Sequence, residues 1–196
     1  MQEVRAFIAI KLPEAIIQRL ADQIQNIKDL VPHGVVRWVR KENLHLTLKF
    51  LGNATPTDIG NISASMQFLA EEYTAFDLEI TSFGCFPKIK YPRTLWIDIR
   101  EPSGALQKLQ SAIEDSLEGH GFPREQRRFH PHLTIGRVNR NVQRTDRLEL
   151  GQCLAEVKVG YIGTVHVRDF VLMKSDLRPS GAVYSQLSSV SLKEAG

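Results

Sequence analysis

The chain is poor in the features that would take it out of the ordinary globular class. It contains only two cysteines, Cys85 and Cys153, with no CxxC and no paired spacing. A disulfide scaffold or a cysteine zinc site is therefore not expected, and a reducing cytoplasm is the default compartment. No apolar run approaches the roughly 18–20 residues of a membrane span. No cationic segment leads into an apolar signal stretch at the N-terminus.

The chain also has no large excess of positive or negative charge. Lys and Arg number 25 and Asp and Glu number 22, which gives a net charge of +3. That balance is compatible with a phosphate-bearing ligand, but it is far from the basic coat of a bulk nucleic-acid-binding protein. The remaining composition is globular: 42% hydrophobic, 24% charged and 8% aromatic residues in a chain of 196. This is enough for one compact unit or for two small lobes.

Apolar periodicity divides the chain into alternating strands and helices. Strand alternation covers 4–12, 35–51, 76–80, 95–99, 132–138 and 163–173, with a last strand at 182–192. Helical stripes lie between them over 13–31, 58–73, 102–117 and, more weakly, 145–157. The stripe of the first helix consists of Ile16, Leu20, Ile24, Ile27 and Val31. The order strand, helix, strand, helix, strand therefore occurs twice.

The two halves of the chain align with each other at an offset of 87 residues. Ile8, Ile10 and Leu12 fall on Leu95, Ile97 and Ile99, and Leu78, Ile80 and Phe83 fall on Val165, Val167 and Phe170. We therefore predict one domain over 1–196, with lobe-level repeats at about 4–86 and 91–174 and a C-terminal strand at 182–192. Two such copies are typical of lobes related by a pseudo-two-fold axis.

The same offset relates two triplets, His45-Leu-Thr and His132-Leu-Thr. Six His and nine Thr in 196 residues would give about 0.3 His-x-Thr triplets by chance. Because side chains alternate along a strand, His45 shares a face with Thr47, and His132 shares a face with Thr134. A two-fold relation would bring these polar faces together across a cleft. Two imidazoles and two hydroxyls would then converge on one small anion.

That set of groups suits the opening of a cyclic phosphodiester by water. The reaction needs a base for the water proton and an acid for the departing oxygen, and histidine can do either near neutral pH. Threonine hydroxyls can donate to the non-bridging phosphate oxygens, where charge builds up in the transition state. No metal or other cofactor is required by this chemistry. The residues alone do not say which histidine is the acid.

The two motifs resemble those of the two-histidine (2H) phosphoesterases, and within them the RNA 2′,3′-cyclic phosphodiesterases, also called 2′-5′ RNA ligases. The likeness covers nearly the full length of the chain. It includes Arg5-Ala-Phe-Ile-Ala-Ile, Trp38-Val, Lys49-Phe-Leu-Gly, Pro92-Arg-Thr-Leu-Trp, Pro131-His-Leu-Thr-Ile-Gly-Arg and Gly181-Ala-Val-Tyr.

The resemblance implies an α/β fold of the α+β type with two pseudo-symmetric lobes, in which antiparallel sheets line a central cleft and helices lie outside. It implies hydrolysis of RNA 2′,3′-cyclic phosphate ends to 2′-phosphates, with a possible reverse 2′-5′ ligation. By the same resemblance His45 is the proton donor and His132 the proton acceptor. RNA ends or small oligonucleotides are then the partners, and the protein is expected to be a cytoplasmic monomer without membrane contact.

Two further cationic residues are candidates for substrate binding. Lys49 has the strand parity of His45 and should face the cleft, although a strand lysine that snorkels to solvent is an equal alternative. Arg137 could grip phosphate with its guanidinium. Its parity is opposite to that of His132, so it reaches the cleft only if the strand bends after Gly136.

Other residues have both a functional and a structural interpretation. A basic loop precedes the second motif and contains Arg124, Arg127 and Arg128. It could contact the RNA backbone or could simply be solvated. Tyr91, Phe50 and Trp38 could stack on a base or belong to the core. His130 could compete for the base role, but it lies outside the repeated triplet and is better explained as a loop residue.

Three other functions stay open at this point. A sister enzyme would act on other small cyclic phosphates, such as ADP-ribose cyclic phosphate, and would turn over mononucleotides and oligonucleotides comparably. A non-catalytic RNA- or nucleotide-binding module would keep the cleft without chemistry. A zinc hydrolase that uses His45, His130 and His132 would be inhibited by chelators.

Overall fold

Nine strands and four α-helices alternate along residues 3–179 and 181–194, which are the residues that the computed structural model describes. The strands are β1 (Val4–Lys11), β2 (Val36–Trp38), β3 (His45–Ala54), β4 (Phe76–Phe86), β5 (Thr94–Arg100), β6 (His132–Val138), β7 (Gly163–Val167), β8 (Asp169–Arg178) and β9 (Gly181–Ser191). The helices are α1 (Glu14–Leu30), α2 (Pro56–Ala70), α3 (Ala105–Glu118) and α4 (Arg144–Ala155). The predicted α/β order is confirmed.

Two of the predicted strands are each divided in the structure. The segment 35–51 is interrupted by a short 3-10 turn at Lys41–Asn43, so that β2 and β3 belong to different sheets. The segment 163–173 is interrupted at Arg168, and its two parts, β7 and β8, also belong to different sheets. Polar residues interrupt the apolar alternation at both breaks, at 40–43 and at 168–169, and the sequence prediction extended each strand across them.

The strands form two antiparallel sheets that each combine both halves of the chain. One sheet has the order β3-β1-β8-β9, and the other has the order β2-β6-β5-β4-β7. β4 comes from the first half but pairs with β5, while β8 comes from the second half but pairs with β1. The sequence repeat and the two sheets therefore have different boundaries, because β2 and β4 of the first half lie in the second sheet and β8 of the second half lies in the first.

The pairing register follows the sequence repeat residue by residue. In the first sheet Lys11 lies opposite His45 and Ala9 opposite Thr47. The residues 87 positions later are paired in the same way in the second sheet, where Asp98 lies opposite His132 and Trp96 opposite Thr134. The two histidine motifs thus occupy equivalent places in two equivalent strand pairs.

Helices cover the face of each sheet that is opposite the histidines. All five residues of the predicted α1 stripe are buried. Arg19 of α1 donates to the carbonyl of Ile162 at 3.1 Å, just before β7. Gln110 of α3 donates to the carbonyl of Leu48 at 3.4 Å. The hydroxyl oxygens of Ser63 of α2 and Ser188 of β9 lie 3.1 Å apart. The helices therefore cross over as the strands do, since α1 covers the second sheet and α3 covers the first.

One hydrophobic core lies between sheets and helices, and it contains the apolar residues of both motifs. Leu46, Leu48, Leu133 and Ile135 are each at most 4% exposed. Burial of a leucine or isoleucine side chain stabilises the fold by about 1.5–3 kcal/mol. The leucines thus fix each motif strand against the core and leave the His and Thr side chains on the opposite face. Among the described residues, none of the helices is both long and apolar enough to cross a membrane.

Candidate active site

His45 begins β3 directly after the 3-10 turn at Lys41–Asn43. Its Nδ1 lies 2.8 Å from the backbone carbonyl oxygen of Asn43. A carbonyl oxygen can only accept a hydrogen bond, so Nδ1 carries the proton and Nε2 is left free. The imidazole is half-buried. Its orientation is therefore set by the backbone, and its second nitrogen is available for proton transfer.

His132 is held in the same way at the start of β6. Its Nδ1 lies 2.7 Å from the carbonyl oxygen of His130, which is again the residue two positions earlier. Asn43 and His130 are themselves 87 positions apart. The same tautomer follows, with a proton on Nδ1 and a free Nε2. The two imidazoles are thus presented as equivalent proton-transfer groups.

Burial lowers the pKa of both histidines below the ordinary value, because a partly desolvated imidazolium is disfavoured. In each case the hydrogen bond to the backbone carbonyl opposes the shift. For His132, the charges of His130 and Arg137 lower the pKa further, and Asp98 raises it. Both rings are therefore mainly neutral near pH 7 in the ligand-free protein, and an anion bound between them would raise both pKa values again.

A β-bulge follows each His-x-Thr triplet at the equivalent position. In β3, Thr47 pairs with Ala9 and Lys49 with Ile8, so Leu48 is the extra residue. In β6, Thr134 pairs with Trp96 and Gly136 with Leu95, so Ile135 is the extra residue. An extra residue reverses the side-chain parity of the rest of the strand. The faces predicted from simple alternation are therefore exchanged beyond each threonine.

The prediction that Lys49 faces the cleft is wrong, and the bulge at Leu48 is the reason. Lys49 is only 4% exposed and points into the covered side of the sheet. Its ammonium forms an ion pair with Glu114 of α3 and donates to the carbonyl of Pro123 at 2.9 Å. Phe50 takes the opposite face instead and is 68% exposed. Lys49 is thus a buried structural residue.

The second bulge, in β6, brings Arg137 onto the strand face that carries His132. The prediction required a bend after Gly136; the irregularity is instead a bulge at Ile135, one residue before Gly136, and it places Arg137 on the face of His132 and Thr134. Arg137 is exposed, and its Nη1 donates to the hydroxyl of Thr94 at 3.2 Å. Gly136 takes the covered side, where a Cβ atom would come within 2.8 Å of the Val36 side chain.

Aromatic rings flank both histidines, and the sequence did not single out most of them. The centroid of the His45 ring lies 4.8 Å from that of Phe7 and 5.2 Å from that of Tyr184. The ring of His132 lies 5.2 Å from Phe86 and 6.3 Å from Trp96. These residues come from neighbouring strands, so their proximity depends on the register.

The other candidates have distinct surroundings. The His130 imidazole lies 3.6 Å from Asp98 and packs against Trp96 at 4.9 Å, while its carbonyl orients His132. In the basic loop, Arg124 pairs with Asp115, and Arg127 and Arg128 are exposed.

The aromatic candidates lie in three different places. The ring centroid of Tyr91 lies 5.8 Å from the Lys88 ammonium, and Trp38 packs against the core. Phe50 lies beside Phe7, with ring centroids 6.2 Å apart.

The two motif strands approach each other, since Cα atoms of β3 and β6 come within 8 Å. Thr47 and Thr134 are half-buried on the same faces as their histidines. Among residues 3–179 and 181–194 there is no group of three or more His, Cys, Asp or Glu side chains arranged to hold a metal ion. Each motif strand therefore presents an imidazole and a hydroxyl on one face, and β6 adds the guanidinium of Arg137 to that face.

Comparison with known proteins gives a consistent result. The family model of the 2′-5′ RNA ligase superfamily matches residues 12–177. An RNA 2′,3′-cyclic phosphodiesterase from Methanothermobacter thermautotrophicus is 31% identical over 94% of this chain and 97% of its own length. The crystal structure of TT0787 from Thermus thermophilus has a TM-score of 0.78 at 24% identity and covers 98% of this chain and all of its own. E. coli LigT complexed with 3′-AMP has a TM-score of 0.74 at 25% identity, covering 97% and 99%.

Proposed function

The chain belongs to the 2′-5′ RNA ligase superfamily and is, like its relatives, an RNA 2′,3′-cyclic phosphodiesterase; from this premise we propose that His45 and His132 perform the reaction. The observation that carries the proposal is the matched anchoring of the two imidazoles. In each, Nδ1 donates to the carbonyl two residues earlier, at 2.8 and 2.7 Å, and Nε2 has no hydrogen-bond partner among residues 3–179 and 181–194. The two rings lie on β3 and β6, strands of different sheets whose Cα atoms come within 8 Å.

The proposed step is hydrolysis of the cyclic ester at the 3′-oxygen. Nε2 of His132 takes a proton from water, and the water oxygen forms a bond to phosphorus. The bond from phosphorus to the 3′-oxygen breaks, and His45 donates its Nε2 proton to that oxygen. The product has a 2′-phosphate and a free 3′-hydroxyl. General acid and general base each contribute about 10²–10⁴ in rate, and the assignment of the two roles follows the family resemblance.

The threonines have a supporting role in this proposal. Thr47 and Thr134 each share a strand face with a histidine and are half-buried. Their hydroxyls would donate to the non-bridging oxygens, where negative charge increases in the transition state. If the 5′-hydroxyl of a second RNA replaced the water, the same step would form a 2′-5′ linkage. Action as a cytoplasmic monomer stays a prediction.

Product analysis tests the proposal directly. An oligonucleotide that ends in a 2′,3′-cyclic phosphate is incubated with the protein in EDTA, and the end is identified as a 2′-phosphate, a 3′-phosphate or unchanged. We expect the 2′-phosphate. His45→Ala and His132→Ala should each lower turnover by at least about 10², whereas His120→Ala, which removes an exposed histidine, should not change it.

Other results would favour other functions. A 3′-phosphate end would reverse the assigned leaving group, and loss of turnover in EDTA would indicate a metal-dependent hydrolase. Binding without turnover would indicate a non-catalytic module. If both histidine variants kept full turnover, the proposed acid–base pair would be wrong even though the enzyme is a phosphodiesterase.

A further inference from the structure

Two arginines lie directly opposite each other beside the candidate active site. Arg37 of β2 pairs in register with Arg137 of β6, and both are exposed. Residues paired in this way share a sheet face, with Cβ atoms about 4.5–5.5 Å apart. In the described ranges 3–179 and 181–194, neither guanidinium takes part in an ion pair with a carboxylate. Arg137 has only the Thr94 hydroxyl, and Arg37 has no side-chain hydrogen bond there.

Like charges directly opposite on neighbouring strands destabilise a sheet. An anion between them removes the repulsion and can accept several hydrogen bonds, because each guanidinium presents a planar fork of donors that matches phosphate. An alternative role for Arg37 is protection of the sheet edge, since β2 is an edge strand and charged side chains on such strands prevent unwanted pairing. That role would not require a second arginine opposite.

The position of the pair relates it to the reaction. The bulge at Ile135 puts Arg137 on the face of His132 and Thr134. Because Thr134 and Arg137 pair with residues two positions apart on β5, Arg137 lies roughly 7 Å along the strand from Thr134. Its charge reaches the site, because it contributes to the lowered pKa of His132. Arg37 lies one strand further to the side, away from β5.

We propose that Arg37 and Arg137 form a second phosphate-binding subsite, which holds the phosphodiester on the 5′ side of the terminal nucleotide of the RNA. The inference rests on the proposed function, in which the cyclic phosphate lies between the histidines at the 3′ end of the chain. A mononucleoside cyclic phosphate has no such phosphodiester. The subsite therefore makes the enzyme prefer oligonucleotide ends over free cyclic nucleotides.

The test compares two substrates in two variants. kcat/KM is measured for a mononucleoside 2′,3′-cyclic phosphate and for a short oligonucleotide with the same cyclic end. Arg37→Gln should lower kcat/KM for the oligonucleotide about tenfold more than for the mononucleotide, as expected for loss of a hydrogen-bonded charge contact. Arg144→Gln, which removes an exposed arginine from α4, should leave both values unchanged.

A salt titration gives a second readout that a purely structural role would not change. The slope of log kcat/KM for the oligonucleotide against log salt concentration should become shallower by about 0.7 in Arg37→Gln, the value for one phosphate contact to a single strand. Equal losses on both substrates, no loss on either, or an unchanged slope would overturn the subsite. If the wild type turned over neither substrate, the proposed function itself would be wrong.

Discussion

At the scale of single residues, the two histidines are defined as much by their backbone partners as by their own chemistry. Each Nδ1 donates to a carbonyl two residues earlier, so the ring cannot rotate without losing that bond. Aromatic rings on both sides reduce the exposure of the imidazoles. Tautomer and orientation are thus set by a short local segment, whereas the basicity of the rings is set mainly by their burial.

The pH dependence follows from the lowered pKa values. Activity needs one histidine neutral and the other protonated, so kcat/KM is bell-shaped with its centre between the two pKa values of the free enzyme. Because both pKa values lie below the ordinary 6.5, we predict a maximum of kcat/KM below pH 6.5. In the complex, the phosphate anion raises both pKa values, so the alkaline limb of kcat lies at higher pH. A kcat/KM maximum well above pH 7 would contradict this prediction.

Two glycines should respond in opposite ways to alanine. A Cβ atom at Gly84 would overlap the ring of Trp96, which packs against His130 beside the site. Overpacking of this kind typically costs about 1–3 kcal/mol. In the part of the chain that the structure describes, no atom outside the helix's own nearby backbone lies within 4 Å of a Cβ added at Gly60, in the interior of α2, and its φ is not positive. Gly60→Ala should therefore stabilise the protein by about 0.5–1 kcal/mol. Urea unfolding of both variants checks the pair, and equal shifts of the same sign would refute the packing argument.

At the scale of elements, the buried pair between Lys49 and Glu114 connects the first motif strand to the second half of the chain. Glu114 also accepts a hydrogen bond from Gln110 at 3.0 Å and one from the backbone N–H of Glu125 at 3.2 Å. Lys49 in turn donates to the carbonyl of Pro123. The network therefore joins β3, α3 and the start of the basic loop. By the offset of 87, Lys49 corresponds to Gly136 and Glu114 corresponds to Ile27, so the other motif has no such ion pair.

We predict that Lys49→Met destabilises the protein by about 3–5 kcal/mol, because it leaves the Glu114 carboxylate buried without a cation. The double variant Lys49→Met, Glu114→Leu should recover much of the loss, since neither charge is then buried. The free energy of unfolding in urea measures both. Simple additivity of the two single substitutions would show that the two side chains are not energetically coupled.

At the scale of the whole molecule, the exchange of strands makes each half depend on the other. The first half contributes β1 and β3 to a sheet that needs β8, and it sends β4 to pair with β5. Helices cross over as well, since α3 packs on β3 through Gln110 and Leu48. Neither sequence repeat can bury its apolar faces alone.

Separate halves should therefore not fold independently. We predict that fragments 1–90 and 91–196 are each largely unfolded by circular dichroism and recover strand signal, and phosphodiesterase activity, only when mixed. The cut lies in the loop between β4 and β5, outside both strands. Cooperative thermal unfolding of either fragment by itself would show that the repeats are autonomous lobes after all.

The sequence by itself determined the succession of strand and helix segments, although not the divisions within 35–51 and 163–173. It also determined the buried stripe of α1 and the two polar faces that carry His45, Thr47, His132 and Thr134. These features depend on local periodicity, which is written in the chain. Only the tertiary structure decided where Lys49 and Arg137 point, which rings flank the histidines and which strands share a sheet. A bulge, a register and a strand exchange are set by the partner strand, and parity along one strand says nothing once an extra residue interrupts the ladder.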